Sequence, residues 1–501
     1  MNMQPTNWLK NTTALRNTGY MGASTDSRFG DFGLARSTSA DTELRANLVK
    51  LRDRSRYQAR NSGMVRRYIH LMKTNVVGEG GFKLQVRVKR VDGSMNKVLN
   101  DRVQNAWRKW TRKCSVDRKL SLTEMMSLAV GCWCRDGEAI IEIVRGQRFP
   151  KGFALKMIEA DLLDETLNRP ASNTQNEIRM GVELDADEAP VAYHFLTHHP
   201  GGDGWMSMDT RRRYRRVPAE RIIHAYERLR PGQTRGEPHT VSMLATVQML
   251  DGYREAEVMH RRIAASVMGF FKKMAQDAGT VTELADPDQD EDDELFSLTM
   301  TPGLLTELPR GLDFEKFDPG GVQGDYAQFE GQVKREASMG VNLSNFSLGQ
   351  ETQGVSYSTG RSVLIEDRDH YKASQRFIIE QILWPLFEAW VSMETISPEA
   401  SIPPLFIVAV MDNYHFRGRG WDWVDPAKDV RANAEALETR QTSLSRIAAD
   451  RGIDVRDLVE EIAQDEALLA EYGLTMGTIS GNNKQTEQVD GDDGTGSNST
   501  E

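Results

Sequence analysis

The residues of this chain that come nearest to a metal site are three closely spaced histidines, His194, His198 and His199. Two histidines four residues apart can share one face of a helix, which is the spacing that zinc-binding helices use. The stretch continues into residues 200–202, a Pro-Gly-Gly sequence typical of a loop. We therefore interpret the histidines as surface-loop residues and predict no metal site, with a metal cluster as the alternative.

A run of carboxylates at residues 286–294 could also attract a cation. A calcium-binding loop needs ligands at alternating positions and a glycine at the turn, and this run has neither. We interpret it as a solvated loop, and a negatively charged rim of a larger assembly is the alternative.

The chain has three cysteines, Cys114, Cys132 and Cys134. An odd number argues against a disulfide framework, and no second Cys or His pair lies at the spacing of a four-ligand zinc site. We predict structural, buried thiols.

Motifs of several large enzyme classes are absent from the sequence. It contains no Gly-x-x-x-x-Gly-Lys-Ser/Thr phosphate loop, no Gly-x-Ser-x-Gly elbow and no His-Glu-x-x-His helix. An ATPase or a metal-dependent nuclease would need a phosphate loop or clustered carboxylates for two metals. The chain is therefore predicted not to be an enzyme and to have no catalytic residues and no cofactor.

The formal net charge is −10, with 39% hydrophobic and 27% charged residues. Proteins that hold DNA by counterion release present a basic face, so tight non-specific binding is not expected, whereas DNA could slide past such a surface. No apolar run approaches the roughly 20 residues of a membrane span. The first ten residues have no signal-peptide pattern, so a cytoplasmic protein without membrane contact is expected.

An arginine cluster at residues 211–216 is predicted to lie in a loop or at a strand edge. A solvated strand edge is one interpretation. A contact with another subunit, with DNA or with a capsid is the alternative.

Apolar spacing predicts the elements that must position these residues. One helix is expected to begin near Asp41, capped by Asp41 and the residue after it, and another to begin with a capping box formed by Ser121 and Glu124. Pro385 removes a backbone donor and is expected to kink the helix around it. Predicted helices lie at 98–113, 121–134, 241–273, 325–340, 358–395 and 426–471, with strands at 83–88 and 139–144 and mixed short strands and loops over 152–227.

Two segments are typical of mechanical joints. Residues 230–238 form a Pro/Gly-rich turn with two arginines ahead of one long helix, and residues 356–361 form a polar, flexible entry to another. Arg235 is placed to bridge elements through its planar guanidinium, which predicts a role in assembly. The candidate assembly residues are Arg230, Gln233, Arg235, Gly236, Tyr357, Ser358 and Arg361.

Residues 341–357 are predicted to form a polar loop with glycine hinges. Its neutral side chains could touch phosphates weakly. The candidate DNA-facing residues are Asn345, Gln350, Gln353 and Ser356. Alternatively, the apolar residues of the segment anchor it inside protein, because apolar loop residues are usually packed. These apolar residues are Val341, Leu343, Phe346 and Leu348.

Six motifs in a fixed order resemble the lambda-like family of bacteriophage portal proteins, over residues 41–474. The most specific are residues 230–238 and 357–361. Family members often carry Ser-Ser or Ser-Ala before the arginine, where this chain has Ser-Thr-Gly. The others are an arginine-rich first helix at 51–61, a Val-Gly-x-Gly turn at 75–80, tryptophans followed by Asp-Gly-Glu at 107–138, and a Trp, Asp-Pro and Gly-Ile-Asp pattern at 421–454.

The resemblance implies an α+β, mainly α-helical portal fold with wing, stem, clip and crown regions, in a ring of about twelve subunits. The implied divisions are a disordered arm (1–40), the wing (41–240), a stem helix (241–276), the clip (277–322), a second stem helix (323–341), the channel loop (342–357), a kinked helix that returns to the wing (358–425), a helical crown (426–474) and a disordered tail (475–501).

The function that the resemblance implies is the portal at one vertex of a tailed-phage head, used for DNA packaging and ejection. The implied partners are further copies of the chain, double-stranded DNA held weakly, the terminase large subunit, major capsid and scaffold proteins, and head-completion or neck proteins. The implied location is the virion, and the host cytoplasm during procapsid assembly. A scaffold or capsid component without a channel is the alternative, since it would also assemble without chemistry.

Overall fold

The structure is a computed structural model, and it describes residues 37–202, 214–265, 269–273, 312–316, 326–351, 355–396, 401–421 and 426–471. The chain divides into two compact units, residues 1–419 and residues 420–501. Within the described ranges, no helix combines the length and the apolar character that crossing a membrane requires.

The first helix, α1 (Ala40–Asn61), begins one residue earlier than the sequence predicts. Its cap is Ser39, whose hydroxyl accepts the backbone N–H of Thr42, so the cap predicted at Asp41 is wrong. The Asp41 carboxylate instead accepts hydrogen bonds from the backbone N–H and hydroxyl of Thr234. The side chain that the local sequence assigned to the cap therefore binds a residue that is distant in the sequence.

The helices predicted over 98–113, 121–134 and 325–340 lie close to their predicted positions, and the first unit also contains short helices that the sequence did not predict. The capping box of Ser121 and Glu124 is confirmed. These helices are α2 (Gly63–Met72), α3 (Lys97–Thr111), α4 (Leu122–Asp136), α5 (Val241–Ala265), α6 (Tyr326–Gly340), α7 (Asn345–Gly349), α8 (Tyr357–Ile378), α9 (Trp384–Ile396) and α10 (Ile407–Asp412).

All the described strands pair antiparallel. They are β1 (Lys83–Val86), β2 (Glu138–Arg145), β3 (Phe153–Ile158), β4 (Glu177–Arg179), β5 (Val182–Leu184), β6 (Pro190–Leu196), β7 (Tyr214–Pro218), β8 (Ile222–Tyr226), β9 (Gly269–Lys273), β10 (Leu312–Lys316) and β11 (Tyr414–Arg417). They form sheets in the orders β3-β2-β8 and β4-β5-β6-β7 and the pairs β1-β11 and β9-β10. The combination of long helices with small antiparallel sheets agrees with the predicted α+β class.

Apolar clusters of the described residues stabilise the first unit, and two of them join separate elements. One core draws residues from both larger sheets. Its members are Ile140, Ile158, Leu163, Val182, Leu184, Tyr193, Phe195, Val217 and Ile222. The other is aromatic: Trp107 of α3 meets Trp390 of α9 edge to face with ring centroids 5.2 Å apart, and Trp110 stacks on Phe153. The second core joins α3 to α9 and β3. Aromatic pairs of this kind stabilise a fold by more than the burial of their surface area alone.

The long helix predicted over 241–273 is wrong beyond Ala265, and the stem division drawn to 276 stays a prediction. Residues 269–273 form strand β9, which pairs with β10, and Phe271 lies opposite Phe314. A glycine followed by two phenylalanines favours a strand over a helix. Residues 274–311, including the acidic run at 286–294, lie outside the described residues, as do residues 1–36 and 472–501.

Helices α5 and α6 pack antiparallel. The Ser242 hydroxyl donates to the carbonyl of Gly340 at one end, and Arg254 pairs with Glu330 further along. Tyr253 stacks on Tyr326 with ring centroids 5.7 Å apart.

The helix predicted over 358–395 is present as α8 and α9 with a π-helical turn between them at Ile379–Leu383. Pro385 lies at the start of α9 and cannot donate to the carbonyl of Gln381. The helix accommodates this missing donor by widening directly before the proline. A bend at Pro385 stays a prediction.

The second unit is helical, as the sequence predicts. It contains α11 (Pro426–Glu438), α12 (Leu444–Asp450) and α13 (Val455–Glu471). The hydroxyl of Ser443 caps α12 by accepting the backbone N–H of Arg446.

Candidate functional site

The joint at residues 230–238 lies between β8 and α5 and packs backbone to backbone on the turn that leads from α4 into β2. A Cβ atom on Gly236 would lie 2.1 Å from the carbonyl oxygen of Gly137, and one on Gly137 would lie 2.3 Å from the carbonyl carbon of Glu237. Gly137 also has φ of +90°, which disfavours other residues. Two motifs that the sequence singles out separately therefore form one contact.

Arg235 lies in the interior of this contact and is fully buried. Its Nε donates to Glu138 Oε2 at 2.8 Å, and its Nη1 donates to the carbonyls of Leu163 and Met180 at 2.8 and 2.9 Å. Its Nη2 donates to Glu138 and to the carbonyl of Ala160. Since a guanidinium has five N–H groups, the donor capacity of Arg235 is used completely within the subunit. Arg235 therefore bridges elements of the same chain, and the assembly role predicted for it stays a prediction.

Glu138 is the common partner of three cationic or polar side chains. His224 Nε2 lies 2.9 Å from Glu138 Oε2, and Arg52 Nη1 lies 3.5 Å from Glu138 Oε1. Burial alone would raise the pKa of Glu138, but Arg235 and His224 hold it well below its usual range. Burial lowers the pKa of His224, so the imidazole is neutral and its Nε2–H donates to the carboxylate.

Arg235, Glu138 and His224 form an ionic centre, which two arginines of α1 extend. Arg52 Nη2 lies 3.0 Å from Glu165, and Arg56 Nε lies 2.7 Å from Asp136. Both arginines also contact Asp161, and together they hold the pKa of that carboxyl below its usual range although burial opposes them. Arg52 and Arg56 therefore pair within the subunit, whereas Arg54 and Arg60 of the same helix are exposed.

The rest of the joint is tied to the start of α1. Buried Gln233 accepts the backbone N–H of Leu229 at 2.9 Å and donates to the carbonyl of Arg235 at 2.8 Å, which closes the turn. Arg230 is half-exposed and donates to Glu43 and to the carbonyl of Thr38. The joint fixes α1, the three-stranded sheet and the start of α5 relative to one another through these hydrogen bonds.

This ionic centre predicts that acid weakens the fold in two steps. The pKa of His224 is lower in the folded chain than in the unfolded chain. As the pH falls below about 6.5, the unfolded chain therefore takes up a proton that the folded chain does not, and the free energy of unfolding decreases. Glu138 also has a depressed folded pKa, so its contribution is lost as pH falls below about 4.5. Each group can contribute a slope of at most about 1.4 kcal/mol per pH unit. Urea unfolding from pH 8 to pH 4 measures both.

His224→Gln is the matched control for the first step, because glutamine keeps a donor toward Glu138 but does not titrate. We expect its unfolding free energy to be flatter with pH between 6.5 and 5. The assignment to His224 is wrong if the slope is the same in the variant.

Residues 341–349 are anchored to the body of the subunit, so the continuous loop predicted over 342–357 is wrong in its first half. The apolar residues Val341, Leu343 and Leu348 are buried, and the short helix α7 begins at the Ser344 cap. Because these apolar side chains pack inside the subunit, the alternative interpretation of an anchored segment applies to this half.

Asp367 of α8 is the main polar anchor of α7. Its carboxylate, which is buried, accepts the backbone N–H of Ser344 at 2.9 Å and the Ser344 hydroxyl at 2.6 Å, and also accepts the hydroxyl of Ser347. From the other side, Arg67 Nε donates to the carbonyl of Ser347 at 2.8 Å. Helices α2 and α8 therefore clamp α7 between them.

The four predicted DNA-facing residues are not equivalent. Asn345 is half-buried and donates to Glu351, and Ser356 caps α8 by accepting the backbone N–H of Thr359. Gln350 is exposed and has φ of +56°, which ends α7. Gln353 lies outside the described residues.

The remaining assembly candidates lie at the start of α8. Tyr357 and Ser358 are exposed, and the Ser358 hydroxyl lies 3.0 Å from that of Ser356. Arg361 is half-buried. The assembly role predicted for these three residues stays a prediction.

The three histidines do not converge. His194 is in strand β6, not in a loop, and its Nε2 lies 3.0 Å from Glu183, while His198 contacts Thr197. His199 Nε2 lies 3.4 Å from Glu159 and 3.7 Å from Asp161. That group could present three ligands to a metal, but the charge of Asp161 is already offset by Arg52 and Arg56.

Of the arginine cluster, residues 214–216 are described and lie on β7, an edge strand as predicted. Arg215 donates through two nitrogens to Glu142 at 2.6 and 2.8 Å. Arg216 donates through two nitrogens to Glu183 at 2.8 and 3.0 Å. The hydrogen bonds from Arg216 lower the pKa of Glu183 to about 2. These two arginines therefore stabilise the sheets of the subunit itself.

All three cysteines are free, and Cys114 and Cys134 are buried as predicted, with Cys132 partly so. Burial raises the pKa of Cys114 to about 12, of Cys132 to about 11 and of Cys134 to about 12. The thiols stay protonated at neutral pH and are poor nucleophiles.

The sequence is similar to those of known proteins. Residues 26–375 match the family described as "Phage portal protein, lambda family". The chain is 31% identical over 445 residues to the "Probable portal protein" of Halomonas phage phiHAP-1, covering 88% of this chain and 85% of that protein. It is 20% identical over 454 residues to "Portal protein B" of Escherichia phage lambda, covering 84% of each. A solved structure titled "Neck of empty GTA particle computed with C6 symmetry" aligns with a TM-score of 0.42 at 14% identity, over 81% of this chain and 93% of that one.

Proposed function

The chain belongs to the lambda family of phage portal proteins, and on that premise we propose that it forms a closed ring of about twelve subunits through which DNA enters and leaves a phage head. Such a ring would occupy one vertex of the virion capsid, and it would assemble in the host cytoplasm. A ring closes only when each subunit offers two different complementary faces, since the contacts are heterologous.

The observation that carries this proposal is the unpartnered apolar surface of the antiparallel pair α5 and α6. Tyr253 and Tyr326 occupy the contact between the two helices, whereas other large apolar side chains point away from it into solvent. These are Met249, Val258, Met259 and Met339, which are 71%, 48%, 49% and 70% exposed. Large exposed apolar surface on a single subunit marks an interaction site, and a neighbouring copy of the same pair would cover it.

The pair α5 and α6 would then form the stem, and the β9–β10 ladder would begin the clip at its end. Residues 41–240 and α8 to β11 would form the wing, and α11 to α13 the crown. The crown helices carry exposed apolar residues that further copies would cover in the same way. These residues are Val430, Leu437, Leu444, Val459, Ile462 and Leu468.

We propose that the channel loop consists of residues 350–356. This range is shorter than the one that the sequence pattern suggests, because residues 341–349 are held inside the subunit. Gln350 and Gln353 would be its DNA-facing side chains. With neutral donors and a chain charge of −10, contact with phosphates would be weak and non-specific, so DNA could pass.

We propose partners that supply the activities and contacts that this chain does not provide by itself. The chain has no phosphate-loop motif, so the terminase large subunit would supply ATP hydrolysis as a separate motor. Capsid and scaffold proteins would contact the wing during assembly, and neck proteins would later replace the motor at the clip.

The test is ring formation by the purified full-length chain without nucleotide, measured by native mass spectrometry and electron microscopy. Met249→Glu should strongly reduce rings because it places a charge in the proposed contact, while the fold, read by circular dichroism, stays intact. Val91→Glu, at a fully exposed turn residue, is the matched control and should assemble normally.

Monomers only, under conditions in which the virion assembles, would contradict the proposal. So would ATP hydrolysis by the purified chain at ordinary enzyme rates. Closed shells in place of rings would favour a capsid or scaffold role.

A further inference from the structure

Charge is distributed unevenly along the chain. Residues 83–119 contain twelve lysines and arginines and only three acidic residues, an excess of nine positive charges, whereas the whole chain has a net charge of −10. This basic segment comprises β1, the tight turn after it, helix α3 and the loop that follows α3. The net charge of the chain therefore does not describe this part of its surface, and an approaching ligand meets the local field of one face.

Helix α3 separates its apolar side chains from its basic ones. The buried residues share the inward side, and they are Leu99, Asn100, Val103, Ala106, Trp107 and Trp110. Arg102 and Lys109 are exposed on the opposite side. They lie seven residues apart, which is two helical turns, so they share one face. Arg112, at the end of the helix, continues that row after less than one further turn and is also exposed.

Four of the exposed cations form no ion pair with another described residue, and they are Arg108, Lys109, Arg112 and Lys113. Cations in the last turn of a helix are favoured by its dipole, which accounts for part of this cluster. The dipole does not account for Arg102, which lies more than two turns earlier. It also does not account for exposed Lys89 and Arg90, which lie outside the helix.

The turn that carries Lys89 and Arg90 is fixed against α3. The buried side chain of Asn100 accepts the backbone N–H of Val88 at 3.1 Å and donates to the carbonyl of Val88 at 3.3 Å. On the inward side, Trp107 holds the helix in the aromatic core. The cations are therefore mounted on a rigid support, and a ligand that binds them has little backbone to order.

We propose that this surface binds the phosphate backbone of double-stranded DNA. We call it the basic face, and its residues are Lys89, Arg90, Arg102, Arg108, Lys109, Arg112 and Lys113. The row from Arg102 to Arg112 is about 15 Å long, the axial length of about four nucleotides of one strand. The inference rests on the proposed function, which brings DNA to the chain.

An acidic protein is a less suitable ligand for this face than DNA. Protein interfaces centre on apolar and aromatic side chains and contain few lysines. Within residues 83–119, all of which the structure describes, the exposed large apolar side chains are Val91 and Val98. Both tryptophans of α3 point inward, so the face also has no aromatic platform on which the bases of single-stranded DNA would stack.

The basic face would be a second DNA contact, distinct from the proposed channel loop at residues 350–356. It lies in the part of the chain that we propose as the wing. Its cations would hold the backbone without reading the base sequence, because phosphate contacts carry no sequence information. The neutral side chains of the channel loop would let DNA slide, whereas the basic face would retain it.

The experiment titrates the full-length chain into a labelled random-sequence DNA duplex of about 20 base pairs and measures fluorescence anisotropy at several salt concentrations. We expect affinity to fall steeply as salt rises. The triple variant Lys109→Gln, Arg112→Gln and Lys113→Gln should bind at least about tenfold more weakly at low salt. Its plot of log affinity against log salt should be shallower by about 2–3, because each lost phosphate contact removes about 0.9.

The matched control is the triple variant Lys50→Gln, Lys372→Gln and Arg376→Gln. It removes the same charge at exposed positions of α1 and α8. It should bind DNA nearly as the unaltered chain does. Circular dichroism checks the folding of each variant, and Arg112→Gln alone, with a slope shallower by about 0.9, serves if the first triple variant does not fold.

The proposal is overturned if the chain does not bind the duplex, or if the two triple variants weaken binding equally. It is also overturned if polyglutamate competes as well as unlabelled DNA at equal charge, since the face would then fit an acidic protein. Ring formation is measured on the same samples by electron microscopy. Rings without DNA binding would reject the basic face and leave the portal ring standing. DNA binding that the first triple variant weakens, in the absence of rings, would contradict the ring and support the basic face.

Discussion

Arg235→Ala is expected to destabilise the subunit by about 3–5 kcal/mol, more than any other single change considered. The arginine is fully buried and uses all of its donors, and its loss leaves Glu138 and three carbonyls without their main partner. An unpaired buried charge is the costly part of this change. The free energy of unfolding from urea titration, and the yield of folded protein, measure the effect.

Arg230→Ala is the matched control, since Arg230 is in the same joint but half-exposed, and exposed ion pairs contribute little. We expect its unfolding midpoint to change little. The double variant Arg235→Met with Glu138→Gln should recover part of the lost stability, because it removes the buried charge together with its partner. If Arg235→Ala unfolds normally and fails only to form rings, the interior role derived above is wrong.

Asp367→Ala is expected to release α7 while rings still form. The carboxylate accepts three hydrogen bonds from Ser344 and Ser347, and losing bonds to a charged acceptor costs about 2–4 kcal/mol in total. A loss of that size exceeds what a five-residue helix gains by itself. Hydrogen–deuterium exchange over residues 343–349 of the assembled ring should become fast, and heads that contain the variant should hold less DNA.

Asp369→Ala lies two residues away on the same helix, where its side chain is exposed and pairs with Lys372. It should leave both exchange and DNA content unchanged. Unaltered exchange over 343–349 in Asp367→Ala would show that the apolar residues alone hold α7. A complete absence of rings would place the segment in the contact between subunits.

Local sequence signals predicted the elements that depend on local physics. The box of Ser121 and Glu124 is an example, because both partners lie within one turn of the helix they cap. The extent of α6 and the helical C-terminal unit follow in the same way from apolar spacing and from the absence of proline.

Partners far apart in the sequence could not be predicted in that way. Arg235 and Glu138 are 97 residues apart, and each was visible only as part of a separate motif. Nothing near Asp367 distinguishes it from Asp369, since both are acids on one helix, and only the packing of α7 buries the first. The sequence did not predict strand β9, because the helical spacing of apolar residues before it can be continued through its one glycine and two phenylalanines.

The β9–β10 ladder has a consequence for variation in the length of the chain. Its paired strands fix both ends of the segment that runs from residue 274 to residue 311, so the distance those ends must span stays constant whatever lies between them. Doubling the length of a flexible segment closed in this way costs only about 0.6 kcal/mol. The length of this segment could therefore change, and a small folded tag could be inserted there, without altering the pairing of β9 with β10.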